Sequence, residues 1–525
     1  MIIYSSTAYL GMPNIALSFI TGLITLGLQF VFNRLIFFYV VNTDYATVSV
    51  ISLHLIGFLV GALLAGKAPL RWRRYRETPA RPERKSHAPA MPVVALALLP
   101  PLVMLSYTVT WRYGLDLLPI LGVLSVLGLS AFTIALLGGY IIARLMAGQE
   151  TGARSTFILI ADTAGSVFGA VLAGFWLLPY YGLNVSFLVF AGLAALLALF
   201  ALPRGRFLVP GACAFCGALF LLPSLDRANA RLRAEGFPLM YHNTSYAELV
   251  ASQHSPMGVL SVVRDRKGQS QMLHIDNMPL CSLAMDGSDL KSWSEYEIGR
   301  FPAEFVAHNG AAAPRVVVVG LGCGLTLAGA LRELPPDAAV TMVEVNPDMP
   351  KMRAHFAPVT GDPLADPRVT LVIQDGFKFF MQGEGREGTH DAVIVDITWM
   401  RDATLTHLFA YEFFTKIRQT LKPGGVFALW NEGGSLEDPV AHTVYATLQA
   451  VFPHVGVRAV SGSYIYFAGN DDTILKAMPA KDQDLTKRLR MASAGAPLNT
   501  LDNLVLNYLI FGRGQGMYSW KSYVN

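Results

Sequence analysis

The N-terminal part of the chain is a series of long apolar segments separated by short polar breaks. Seven such segments can be counted, and most exceed the roughly 17 to 20 residues that a helix needs to cross the hydrocarbon core of a membrane. They predict a multi-span bundle of about seven α-helices at residues 13–41, 45–66, 91–109, 115–143, 156–178, 184–202 and 207–223.

After residue 226 the pattern changes to short apolar runs. Runs at 259–263 and 272–275 predict small antiparallel strands. Four consecutive valines at 316–319 predict a strand buried on both faces, and the apolar stretch at 325–334 predicts a helix. Strands alternating with helices then predict a parallel, doubly wound, Rossmann-like α/β sheet with late strands that can pair antiparallel, at 340–345, 369–373, 392–397, 424–430, 455–460 and 464–468.

These patterns divide the chain into three parts. We expect a transmembrane helical bundle at 1–225, a small β subdomain with a gate segment at 226–310, and the Rossmann-like domain at 311–525.

Composition agrees with a membrane protein, since 53% of residues are hydrophobic and 15% are charged. The loop at 67–85 holds eight Lys or Arg against Glu77 and Glu83, so it alone contributes +6 to the net charge of +4. Because the remainder is about neutral, no nucleic-acid surface is indicated. We expect a multi-pass protein of a bacterial inner membrane, with the bilayer as its partner and no metal.

The orientation of the soluble part stays open. Three basic loops should be cytoplasmic, at 67–85, at Arg144 with Arg154, and at Arg204 with Arg206. Seven spans would then place residue 224 outside the cytoplasm, whereas arginines at 227, 231 and 233 favour the cytoplasmic side.

Ionisable residues interrupt the apolar segments, and the placement of two of them, Arg34 and Asp162, needs an explanation. Because a charge in lipid is costly, both should face the bundle interior or an interface, where they could pair or line a path for an ion or substrate. Alternatively, Arg34 snorkels to the surface and Asp162 caps a helix. Small-residue pairs suited to close helix contact are Gly57 with Gly61 and Gly165 with Gly169.

Candidate chemistry lies at the ends of the predicted parallel strands. Gly320, Gly322 and Gly324 follow the valine strand, and Glu344 lies 22 residues beyond Gly322. That spacing indicates a nucleoside site in which the glycines let the backbone approach the ligand and the glutamate accepts hydrogen bonds from a ribose. The next strand ends at Asp375, which Gly376 follows and which could accept from an adenine amine. The strand after that ends at Asp396, which could accept a proton or hold a cationic substrate. Each acid could instead be a helix N-cap.

These residues, in this order, resemble the spermidine synthase family of aminopropyltransferases, and more closely its membrane-fused relatives. The resemblance also includes the segments at 28–34, 162–169, 422–426 and 499–503. It implies that the three glycines, Glu344 and Asp375 bind S-adenosylmethionine or decarboxylated S-adenosylmethionine. It implies further that Asp396 is the first, catalytic acid of the family's Asp-Ser-Ser-Asp motif and that Glu295, six residues after Asp289, is the glutamate of the gate segment.

Departures from the family pattern fall where an amine would bind. Cys323 stands at an aspartate position, Trp399 replaces the second acid of the catalytic motif, and Trp293 replaces a tyrosine. Ala247 and Leu280 stand where substrate-binding glutamines belong. Since a buried ammonium without a carboxylate partner costs several kcal/mol, putrescine should bind poorly. The four cysteines indicate no disulfide framework, and Cys213 and Cys216 are most simply small apolar residues.

Three functions follow as hypotheses. The first is a membrane-anchored transferase that uses an adenosyl nucleoside and a less polar acceptor. The second is a catalytically silent scaffold or accessory subunit that binds partner subunits or a second copy of itself. The third is transport through the bundle, which depends only on Arg34 and Asp162.

Overall fold

The computed structural model describes most of the chain, and the chain divides near residue 233 into two compact units. The residues that it describes are 11–37, 44–67, 92–93, 95–99, 120–147, 152–201, 246–265, 267–275, 278–382, 387–397, 403–431 and 436–512.

Among the described residues, the first unit contains five long helices, of which four have an apolar stretch long enough to cross a membrane. These stretches are Asn14–Asn33, Val48–Gly66, Gly128–Ala147 and Gly152–Leu177, and a shorter one is Val185–Leu197. Of the seven predicted spans, the one at 207–223 and most of the one at 91–109 lie outside the described residues. The helices are α1 (Gly11–Phe37), α2 (Asp44–Lys67), α3 (Ile120–Ala147), α4 (Gly152–Val171) and α5 (Leu178–Ala201).

One predicted break is absent: residues 152–201 are helical throughout, although the sequence suggested an interruption near Pro179. A π-helical turn, Leu172–Leu177, joins α4 to α5. Pro179, the second residue of α5, follows that turn directly. A proline inside a continuous helix has no N–H to donate and crowds the preceding turn, and the π-helical turn lies where this would interrupt the α-helical hydrogen bonds.

Glycines allow the helices of this unit to approach closely, as their spacing predicted. A Cβ atom at Gly165 or Gly169 would overlap a backbone carbonyl of α1, and one at Gly57 or Gly61 would overlap a carbonyl of α3. Asp162 is buried in the contact between α1 and α4, beside Gly22, so it faces an interface rather than lipid. The side chain of Arg34 lies outside the described residues.

The second unit begins with a four-stranded antiparallel sheet in the order β1-β2-β3-β4. The strands at 259–263 and 272–275 that the sequence predicted are its second and third members, and the turn between them is closed by Asp265, which accepts from Gln269 N at 2.7 Å. The strands are β1 (Tyr246–Ser255), β2 (Gly258–Asp265), β3 (Ser270–Ile275) and β4 (Met278–Ala284).

The main sheet has seven strands in the order β10-β11-β9-β8-β5-β6-β7. Neighbours from β9 to β7 pair in parallel, whereas β10, β11 and β9 pair antiparallel, as predicted for the last strands. The strands are β5 (Arg315–Val319), β6 (Ala339–Glu344), β7 (Val369–Ile373), β8 (His390–Val395), β9 (Leu421–Asn431), β10 (His454–Val460) and β11 (Ser463–Gly469).

Helices cover both faces of this sheet. The alternating side chains of β5 show this, since Val316 and Val318 belong to one buried cluster and Val317 and Val319 to another. The α-helices of five or more residues are α6 (Ser294–His308), α7 (Leu325–Glu333), α8 (Gly376–Met381), α9 (Tyr411–Thr420), α10 (Pro439–Val451), α11 (Thr473–Ala477), α12 (Ala480–Ala492) and α13 (Val505–Gly512).

The strand order reverses between β5 and β8, because the chain runs from β5 to β6 and β7 on one side and then returns to β8 on the other. In open α/β sheets, the carboxyl ends of the two strands at such a point form the crevice that binds ligands. Here those ends carry Gly320 and Asp396.

Candidate active site

The glycine turn after β5 has a conformation that side chains disfavour. Gly320, Gly322 and Gly324 have φ angles of +96°, +48° and +85°. A Cβ at Gly320 would overlap the carbonyl oxygen of Asp396, whereas one at Gly322 would meet no atom within 4 Å. The first glycine therefore allows two strand ends to approach, and the second borders open space.

Glu344 is the last residue of β6, beside this turn, and only 5% of it is exposed. Its Oε2 accepts from Leu321 N at 2.9 Å and its Oε1 from Asn346 N at 2.8 Å. Burial raises the pKa of Glu344, and the two backbone donors oppose that rise. The carboxyl group thus holds the glycine turn against the end of the next strand.

Asp396 follows β8 and lies directly against the glycine turn, since its backbone N donates to Val319 O at 2.9 Å. Its Oδ2 is hydrogen-bonded to the hydroxyl of Thr326, which is 1% exposed near the start of α7. Its Oδ1 is buried and has no hydrogen-bond partner among the described residues. An acceptor atom is therefore left for a ligand.

Glu295 is brought to Asp396 by the close crossing of α6 and α7. A Cβ at Gly299 would overlap the backbone carbonyl of Thr326, so the two helices touch through their backbones. Thr326 Oγ1 contacts the backbone oxygen of Glu295 at 2.8 Å, and Ser294 Oγ donates to Glu295 Oε2 at 2.9 Å. Burial raises the pKa of Glu295.

The next glutamate on α6 has a different environment. Glu297 pairs with Arg458 of β10 at 2.7 Å and with Arg300 at 2.8 Å. The pair with Arg458 attaches α6 to the sheet, whereas the pair with Arg300 lies within the helix, and Glu295 takes no part in either.

The contacts of Thr326 favour a protonated Asp396. A hydroxyl has one hydrogen to donate, yet Thr326 contacts two acceptors, Glu295 O and Asp396 Oδ2. Both contacts become hydrogen bonds if Asp396 carries a proton and donates it to Thr326. Consistent with this, burial, helped by the nearby charge of Glu295, raises the pKa of Asp396 to about 8.

Asp375 occupies the N-cap of α8, where its Oδ1 accepts from Lys378 N at 2.9 Å. A Cβ on the next residue, Gly376, would come 2.7 Å from Val319 Cγ1, so close packing of α8 on β5 explains a glycine there. Both residues lie at the same sheet edge as Glu344. Their assignment to nucleoside binding stays a prediction.

Three of the departures from the resemblance are visible, and one of them, Leu280, is partly buried and packs against the core. Cys323, inside the glycine turn, is disulfide-bonded to Cys281 of β4, which corrects the expectation that the cysteines form no disulfide. The pair is 42 residues apart in sequence and meets only because the small sheet packs on the turn. Trp293 is partly buried against the core, and its Nε1 has no partner among the described residues. Trp399 and the side chain of Ala247 lie outside the described residues.

Sequence reasoning missed three polar residues that organise this edge. Thr326 links Glu295 to Asp396. Asn346, 1% exposed, donates from Nδ2 to Ser255 Oγ at 3.1 Å and so connects the end of β6 to the small sheet. Of the three, only Asn346 could have been found from the local sequence, because it follows Glu344 by two residues. Thr326 and Ser255 could not, because their partners are distant in sequence.

Among the described residues, no group of three or more His, Cys, Asp or Glu side chains could hold a metal ion.

Comparison with known families agrees with this geometry. Residues 300–462, which include the glycine turn, Glu344 and Asp396, match the model of the spermine/spermidine synthase domain. The chain therefore contains a spermine/spermidine synthase domain. The Rossmann-like α/β sheet that the sequence predicted is confirmed in the second unit.

Proteins similar to this synthase-domain chain are named polyamine aminopropyltransferases. The one from Corynebacterium efficiens is 25% identical over 326 residues, which cover 58% of this chain and 57% of that protein. The one from Mycobacterium tuberculosis strain H37Rv is 26% identical over 306 residues, or 57% of this chain and 55% of that protein. The chain thus spans little more than half the length of these relatives.

Similar solved structures include a spermidine synthase in complex with the transition state analogue AdoDATO. It is 18% identical, has a TM-score of 0.38, and the match covers 48% of this chain and 86% of that one. Human methyltransferase-like protein 13 in complex with SAH is 22% identical, with a TM-score of 0.28 and coverage of 40% and 93%.

Proposed function

We propose that this protein is a membrane-anchored transferase that binds an adenosyl nucleoside, either S-adenosylmethionine or its decarboxylated form. One observation carries the proposal: the glycine turn, Glu344 and Asp396 lie together where the strand order reverses, within a spermine/spermidine synthase domain. The apolar helices of the first unit support anchoring in a bacterial inner membrane.

The residues present fit such a ligand. Open space beside Gly322 leaves room for a ligand to approach the backbone of the turn. Glu344 would accept from ribose hydroxyls, because each carboxylate oxygen can accept a second hydrogen bond. Asp375 would contact the base, and Oδ1 of Asp396, which is buried and has no partner among the described residues, would accept from the ligand. No metal is needed for this arrangement.

A sulfonium donor supplies an already activated carbon, so the protein's own residues act mainly by orientation and by handling one proton. The acceptor must lose a proton as its nucleophilic atom forms the new bond. Asp396, once ionised, takes that proton. With a pKa of about 8, Asp396 is a stronger base than an ordinary aspartate, at the expense of being ionised in only part of the molecules at neutral pH.

The acceptor that we propose is less polar than a diamine. Cys323, at the position where the resemblance expects an aspartate, is 4% exposed and bonded to Cys281, so it offers no charge to an ammonium group. A neutral Asp396 would not offer one either. Authentic transfer to putrescine is therefore not the proposed reaction.

Calorimetry on the full chain in detergent, titrated with S-adenosylmethionine, its decarboxylated form and methylthioadenosine, tests the proposal. We expect binding, and we expect Glu344→Gln to weaken it about 10-fold or more, because hydrogen bonds to a charged group contribute roughly 1.5–3 kcal/mol. Glu387→Gln is the matched control, since this glutamate is exposed and makes only a 3.9 Å ion pair with Lys416.

Absence of binding by all three ligands at millimolar concentration would exclude the transferase proposal. The alternative is then a scaffold or accessory subunit that keeps the fold to bind partner subunits or a second copy of the chain. Co-purification of stoichiometric partners with the full chain would support that alternative.

A further inference from the structure

The disulfide between Cys281 and Cys323 joins two parts of the candidate site. Cys323 lies between Gly322 and Gly324 in the turn, and Cys281 lies in β4 of the small sheet, opposite Leu273. Their Cα atoms are 6.2 Å apart, a separation that disulfides commonly span. Both residues are buried within one apolar cluster, with Cys281 8% exposed and Cys323 4% exposed. The bond therefore attaches the glycine turn covalently to the neighbouring sheet.

The bridged turn is held from two directions at once. On one side, Leu321 N donates to Glu344 Oε2 at 2.9 Å, and on the other Cys323 is bonded to β4. In this state Glu344 is only 5% exposed, because the turn lies over its carboxyl group. A ribose gains fuller access to the two carboxylate oxygens when the turn moves, and the disulfide opposes that movement.

We propose that Cys281 and Cys323 form a redox latch, meaning a reversible disulfide that holds the glycine turn over Glu344 when oxidised and releases it when reduced. The ligand consequence rests on the proposed adenosyl site, whereas the latch itself does not. Oxidation would lower affinity for the nucleoside, and reduction would restore it.

The chemistry is thiol–disulfide exchange with a small-molecule disulfide. The thiolate of one cysteine attacks the reagent and displaces one thiol, and the second cysteine then attacks the mixed disulfide and displaces the other. Two protein thiols and one disulfide become one protein disulfide and two small thiols, so electrons and protons balance. Exchange requires a sulfur to reach solvent, and the two flanking glycines, with open space beside Gly322, give the turn the freedom to expose Cys323.

The experiment uses the full chain with Cys213→Ser and Cys216→Ser, so that only the latch cysteines remain. The protein is equilibrated with reduced and oxidised glutathione at several ratios, acid-quenched, and its thiols are counted by alkylation and mass spectrometry. Hydrogen exchange of residues 320–327 is measured at the same ratios. We expect loss of both thiols together as the buffer becomes more oxidising, a 281–323 linked peptide, and slower exchange of the turn.

Two variants serve as controls. Cys281→Ala and Cys281→Ser leave Cys323 without its partner, and in both the exchange of the turn should stay at its fast, reduced rate at every glutathione ratio. Reducing the disulfide of the protein that keeps Cys281 gives the same comparison of bridged and unbridged turn. The test therefore does not depend on whether the variants at residue 281 fold. S-adenosylmethionine should bind about five-fold or more tightly to the reduced protein.

The outcomes separate the two proposals. If the thiols stay free at every ratio, or the disulfide forms without slowing exchange of the turn, the latch is wrong. If exchange of the turn responds to oxidation but no nucleoside binds either form, the latch stands and the adenosyl site is wrong. Equal or tighter binding to the oxidised form would overturn the stated effect of the latch on affinity.

Discussion

The carboxyl group of Asp396 is subject to two opposing requirements, one from its burial and one from its proposed role as a proton acceptor. Its carboxyl group lies against the glycine turn, contacts Thr326, and lies close enough to Glu295 for the two charges to repel each other. Burial favours the neutral acid, whereas a proton acceptor must be ionised. Such a group destabilises the folded protein at the pH where it is useful, as functional residues often do.

We predict that the Asp396→Asn variant is more stable than the wild type, and that the difference in stability grows as pH rises. The unfolded chain releases the Asp396 proton near pH 4, but the folded protein keeps it up to about pH 8. Between these values the folded state binds the extra proton, so stability falls with increasing pH. Asparagine is neutral throughout and avoids this loss. Because one pKa unit corresponds to about 1.4 kcal/mol, the gap between variant and wild type should reach a few kcal/mol at pH 8 and vanish near pH 4.

The measurement is the midpoint of thermal unfolding of both proteins from pH 4 to 8. Asp484→Asn, at an exposed position of α12, is the control and should follow the wild type. If Asp396→Asn is less stable than the wild type at pH 8, the carboxylate is ionised and favourably bound in the folded state, and the raised pKa is wrong.

At the scale of elements, the sequence predicted most strands because their patterns are local. The run at 369–373 is a strand with those same bounds, and the valines of β5 divide between two faces as a doubly buried strand requires. The contacts that build the site were not predictable in this way. Thr326 and Asp396 are 70 residues apart in sequence, and the spacing of apolar residues within one element does not predict such a contact.

The close helix contact in the first unit gives a second prediction. Gly165→Ala should destabilise the bundle by about 1–3 kcal/mol, because the added methyl group would overlap the carbonyl of Phe19 on α1 and force the backbones apart. Circular dichroism of the full chain in detergent, heated through the helix transition, measures the loss.

Gly192→Ala in α5 is the matched control for this change. An added Cβ there meets no atom within 4 Å, so the substitution should leave stability unchanged or raise it by up to about 1 kcal/mol through better helix propensity. Equal effects of the two substitutions would show that the glycine at 165 is not required by packing.

For the whole molecule, the proposed membrane anchor calls for a prediction of which side of the membrane would carry the synthase domain. The basic loops at 67–85 and 144–154 are separated by a pair of predicted spans, which is consistent if both are cytoplasmic. The next two predicted spans, 156–178 and 184–202, belong to one continuous helix in the structure and so count as a single crossing. The segment at 207–223 then determines on which side of the membrane residue 224 lies. It has 17 residues, about the shortest length that can cross, and the arginines at 227, 231 and 233 that follow it favour the cytoplasmic side. A crossing by this segment, the sixth, returns the chain to the cytoplasm.

We therefore predict a cytoplasmic synthase domain, where an adenosyl donor is available and the redox latch stays reduced until conditions become oxidising. A fluorescent protein fused after residue 525 should be fluorescent, and alkaline phosphatase at the same position should be inactive. Phosphatase fused after residue 112, between the third and fourth predicted spans, should be active and is the control. Changing arginines 227, 231 and 233 to glutamine should weaken the cytoplasmic preference. An active C-terminal phosphatase would place the domain outside, where the disulfide would be permanent and the transferase proposal would lack its donor.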